Sequence, residues 1–81
     1  MLAEGDRIVA VQITPRERQV LGLYAAGDTA DHVARQLWIS RETVLDHIRR
    51  IRAKYARLDR PAHTKIDLYR RAVEDGVLPS P

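Results

Sequence analysis

An 81-residue chain with 44% hydrophobic and 31% charged residues has room for one folded domain with one core, and it is too apolar to remain disordered. The absence of cysteine excludes disulfides, thiol catalysis and Cys-ligated zinc. The net charge of +3 is concentrated, because residues 40–60 hold seven Arg and Lys against three acids while residues 1–39 are slightly acidic and residues 61–81 neutral.

The opening residues lack helical periodicity. Ile8, Val9, Val11 and Ile13 suggest a short extended arm over 1–13 that folds onto the domain. No apolar run approaches membrane-spanning length, and the acidic start Met1–Asp6 is unlike a signal peptide. A cytoplasmic protein without a membrane partner is the expectation.

Thr14-Pro15-Arg16-Glu17 starts the first helix. Thr14 can accept from the Glu17 N–H, Glu17 can reach back to the Thr14 N–H, and Pro15 suits the first helical position. Val20, Leu21 and Tyr24 give that helix its buried stripe, and Gly27 ends it. Thr29 caps a second, short helix carrying Val33, Ala34 and Leu37, with Asp31 in its first turn. At the turn that follows, Ile39 should plug the core and Trp38 should cover its edge.

Ser40 caps the third helix, expected over 40–57. Val44, Ile48, Ile51 and Tyr55 recur at steps of four, three and four, so they share one buried face. Glu42, Leu45, Asp46, Arg49, Arg50, Ala53 and Arg57 then face outward. After a connection broken by Pro61, Thr64 and Asp67 repeat the capping logic and open a fourth helix within 64–75 that stops at Gly76. Val77 and Leu78 can fold back on the core, which closes a domain over 14–78 before a tail at 79–81.

Two helices joined by a tight turn, the second of them basic, form the layout of a helix-turn-helix that reads the DNA major groove. The fold class expected is all-α, a four-helix helix-turn-helix domain with a short extended N-terminal arm. The same stretches carry a resemblance. ITPRERQVLGLYAAG at 13–27, VARQLWISRETV at 33–44, then His47, Ile48, Ile51 and Lys54, and finally YRRAVEDGVL at 69–78, are similar to the LuxR/NarL-type DNA-binding domain. That module is the four-helix output domain of many bacterial response regulators.

The resemblance implies a third helix in the major groove of double-stranded DNA and a fourth helix in a homodimer contact. It also implies a cytoplasmic two-component regulator, with 1–13 as the end of an interdomain linker; RNA polymerase is a candidate further partner. It places Thr43, Leu45, Asp46, Arg49 and Arg50 at DNA-contact positions, and Glu17 and Ile39 at positions that organise the scaffold. Three departures stand out. Leu45 occupies a place where the family usually has lysine, the link over 56–63 is longer and contains Pro61, and helix three ends in Lys54-Tyr55-Ala56 instead of Lys-Leu-Gly.

For base contacts the candidates are Leu45, which can pack on a thymine methyl, Asp46, which can accept from cytosine, and Arg49, which suits guanine. Asp46 can equally pair with Arg49 or Arg50 on the helix surface, three and four residues on. Thr43, Arg50, Arg52, Lys54 and Arg57 are candidate phosphate contacts, and Leu68, Tyr69, Ala72 and Val73 candidate dimerisation residues. His47 reads as core packing with a satisfied ring nitrogen.

The aromatics Tyr24, Trp38, Tyr55 and Tyr69 are not interleaved with basic residues, so they read as core or interface and not as a single-strand stacking platform. His32, His47 and His63 lie 15 and 16 residues apart, outside the common local metal spacings, so no metal is expected. No nucleophile–base pair, carboxylate dyad or phosphate-cradling glycine loop is present, and neither an enzyme nor a cofactor or small-molecule site is expected. A sigma-factor-like promoter-binding module and a protein-interaction module that has lost DNA readout are the alternatives.

Overall fold

Each of the four helices begins on a hydroxyl side chain that accepts the N–H three residues on. The computed structural model describes residues 11–79. Among them α1 spans Pro15–Ala25, α2 Ala30–Leu37, α3 Arg41–Arg57 and α4 Lys65–Glu74, with no strand. The cap oxygens are those of Thr14, Thr29, Ser40 and Thr64, each 3.0 to 3.1 Å from its amide. Glu17 and Asp67 return the bond to the Thr14 and Thr64 N–H groups, so both expected capping boxes form. After α1 the chain passes through Gly27 at φ 130, a conformation that disfavours a side chain.

The core is one cluster contributed by all four helices. Val20, Leu21 and Ala25 come from α1, Val33 and Ala34 from α2, and Val44, Ile48, Ile51 and Tyr55 from α3. Leu68 and Ala72 of α4 complete it together with Ala62 of the link. The four-residue stripe of α3 is thus buried as its periodicity requires. Val11 and Ile13 pack against this core, as do Val77 and Leu78, whose N–H groups return to the Ala72 carbonyl. Ile8 and Val9 of the expected arm lie outside the described residues.

Two expectations need correction here. Trp38 does not cover the edge of the core but is 92% exposed. It caps α2 in the left-handed conformation at φ 58, which turns its side chain out, while Ile39 alone folds inward. Tyr24 is half-buried and not part of the central cluster, and the Lys65 ammonium lies 4.1 Å from its ring centre.

Candidate nucleic-acid interface

Burial of the α3 stripe leaves Glu42, Arg49, Arg50, Ala53 and Arg57 exposed along the opposite side, with Leu45 and Asp46 half-buried beside them. Ser40 fixes where that helix starts. Its hydroxyl also lies 2.8 Å from the Thr43 hydroxyl, so Thr43 belongs to the cap in the free domain. The Asp46 carboxylate accepts from the Arg49 guanidinium, the pairing that spacing of three allows. Arg50 and Arg57 have no ion-pair partner among the described residues.

Two of the expected phosphate contacts are engaged elsewhere. The Arg52 Nε donates to the Ala62 carbonyl at 3.0 Å, which ties α3 to the link. Lys54, expected at a phosphate, is paired within the domain: its Nζ donates to Glu17 Oε1 at 2.7 Å, and Glu17 is only 4% exposed. That carboxylate also accepts the Thr14 N–H at 3.0 Å, so it joins the start of α1 to the end of α3. Burial pushes the Glu17 carboxyl up, but the Lys54 and Thr14 hydrogen bonds and the charges of Lys54 and His47 outweigh it and hold it below its ordinary value. His47 is half-buried, and its Nδ1 finds no hydrogen-bond partner among the described residues, contrary to the satisfied nitrogen expected.

The expected dimer residues divide. Leu68 and Ala72 are fully buried inside one protomer, because α4 turns that face onto α1, and they cannot lie on its surface. Tyr69 remains 37% exposed and Val73 half-buried. Ile66, which sequence reasoning passed over, is 69% exposed. Its place two residues after the Thr64 cap puts it off the Leu68–Ala72 face, a signal that was available.

The long link is tied to the helices by side-chain bonds. Asp75 accepts the Tyr55 hydroxyl and the Arg60 guanidinium, both at 2.8 Å, and Arg60 also reaches Glu74 at 2.8 Å. Arg71 donates from two nitrogens to the Pro61 carbonyl at 3.1 and 3.2 Å. Burial, then the bond to Asp75, raises the Tyr55 hydroxyl well above the usual tyrosine range. The Arg60 hydrogen bond, with Arg71 beside it, lowers Glu74 despite some burial.

These residues present a short helix, a tight turn and a longer helix with exposed arginines, on a scaffold that fixes the angle between them. Among the described residues no group of three or more His, Asp or Glu could hold a metal ion, and no helix is long and apolar enough to cross a membrane. The model of the family described as bacterial regulatory proteins, luxR family, matches residues 11–61. No curated protein and no solved structure matches the chain. The match takes in α1, α2, α3 and most of the link, well over half of the sequence, and with that coverage the chain belongs to the luxR family of bacterial regulatory proteins.

Proposed function

We propose that the chain is a sequence-specific binder of double-stranded DNA and acts as a transcriptional regulator. The observation that carries this reading is the exposed arginine face of α3, set by the turn in a domain of the luxR family. In it α3 enters the major groove, Leu45 packs on a thymine methyl, and Arg49 leaves Asp46 to take guanine bidentately. Arg50 and Arg57 meet phosphates, with Thr43 beside them. Asp46 holds Arg49 until a matching base replaces it, and its charge opposes phosphate wherever no such base is offered.

Two copies pairing through the exposed side of α4, around Ile66, Tyr69 and Val73, would place one α3 in each half-site about one helical turn apart. The domain then serves as the output part of a two-component response regulator, with receiver-controlled pairing. Selection from a random duplex library, followed by a salt titration of the tightest binders, tests the proposal. An enriched repeat with a steep dependence of log K on log salt is expected, and Arg49→Ala should relax one position of the repeat. No enriched sequence and micromolar or weaker affinity throughout would overturn it.

A further inference from the structure

Trp38 is the most exposed large apolar side chain among the described residues. It also occupies the left-handed region at φ 58, where a bulky residue is strained. The turn accounts for the backbone, but an indole left in solvent there adds no packing to the free domain, which points to a role in a complex. A shallow depression surrounds it, lined by Asp31, Ala34 and Arg35 of α2 and by Ile39, Ser40 and Arg41 at the start of α3. Asp31 is already 3.3 Å from the Arg41 Nε, so the rim carries an excess positive charge through Arg35. Ser40 caps α3 and Arg41 opens it, and the depression is therefore continuous with the helix offered to DNA.

We propose that Trp38 is a DNA contact, lying against the sugar–phosphate backbone at the edge of the groove that α3 enters. The inference rests on the DNA-binding reading above and extends it from the helix to the turn. Indole suits the position because its face packs on deoxyribose while its single donor, Nε1–H, reaches a phosphate oxygen. Arg35 stands beside it to neutralise the next phosphate. A protein could also use such a tryptophan as an anchor, but the positive rim and the continuity with α3 favour the polyanion.

The chain has one tryptophan, so its emission reports on this site alone. Binding of the whole 81-residue chain to a fluorescein-labelled duplex is followed by anisotropy, and Trp38 emission and its quenching by acrylamide are followed in parallel. Both signals should saturate together, with acrylamide access reduced in the complex. Trp38→Gly should lower affinity about three- to tenfold, the worth of one aromatic contact, while melting no lower than the parent because glycine relieves the φ strain. Trp38→Phe, which keeps the ring and loses the donor, should fall between.

Anisotropy that shows binding while Trp38 stays fully accessible and Trp38→Gly binds like the parent would overturn the inference. The α3 reading would then stand, and Trp38 would belong to a protein partner. No anisotropy change on any duplex, including the selected repeat, would remove both readings.

Discussion

Lys54→Met should destabilise the domain severely and reverse the sign of its acid response. The substitution keeps most of the side-chain length but removes the ammonium 2.7 Å from Glu17, leaving a carboxylate that is 4% exposed with the Thr14 N–H as its one remaining hydrogen bond among the described residues. Breaking a buried pair from one side costs about 3–5 kcal/mol, and the lower end applies because water reaches Lys54, whose side chain is 24% exposed. For a domain this small, about 3 kcal/mol corresponds to a fall in Tm of roughly 12–24 °C. Circular-dichroism melts and urea titrations from pH 4 to 7 read both effects.

In the parent, the folded Glu17 carboxyl titrates below its unfolded value. Its contribution is therefore present above the usual carboxylate range and is lost as pH falls through the depressed value. Without Lys54 the opposing burial prevails, the folded carboxyl moves above the usual range, and the variant becomes more stable on mild acidification. Glu17→Gln in the same background should recover part of the loss. A Lys54→Met protein melting within about 3 °C of the parent, under 1 kcal/mol by the same conversion, would refute the reasoning, as would an unchanged acid profile.

Three further outcomes are expected. Tyr55→Phe should cost about 1 kcal/mol, since Asp75 keeps Arg60 but loses one donor. Because the folded Tyr55 titrates above its unfolded value, its contribution is present below about pH 10 and lost above it, and the variant's urea midpoint should fall less steeply between pH 9 and 11. Asp59→Gly, at an exposed residue with φ 60, should leave the domain as stable or raise it by up to about 1 kcal/mol, and a measured loss would show that the Asp59 side chain does more than occupy a turn. Asp46→Asn should change stability by less than about 0.5 kcal/mol but strengthen binding to random duplex more than to the selected repeat, while equal strengthening of both would leave Asp46 no part in discrimination.

What the sequence disclosed was the local chemistry. Thr14, Thr29, Ser40 and Thr64 announce their helices within three residues, and the Val44–Tyr55 stripe follows from one period. The resemblance to the luxR family rested on contiguous motifs of the same kind. Partnerships across long stretches of chain left no such trace: Lys54 looks like a phosphate ligand until α1 brings Glu17 to it from 37 residues away. Leu68 and Ala72 look like a dimer stripe because an apolar face does not say whether the helix turns it onto its own α1 or onto another chain. The exposure of Trp38 is hidden in the sequence for a local reason, since a tight turn without glycine must put some residue in the left-handed region, and composition does not say which.

The order of packing has a consequence for how the domain opens. α1, α2 and α3 pack on one another, whereas α4 rests chiefly on α1 and is tied back near its C-terminal end by the bonds of Asp75 to Tyr55 and of Arg71 to Pro61. Release of α4 is therefore the natural sub-global opening, and its backbone amides should exchange with solvent deuterium before those of the α1–α3 interior. Anything seated on the outer side of α4 adds its binding free energy to that opening by mass action. Deuterium uptake in α4, followed as protein concentration rises, would thus register a second copy of the chain through slower exchange, without any dimer having to be isolated.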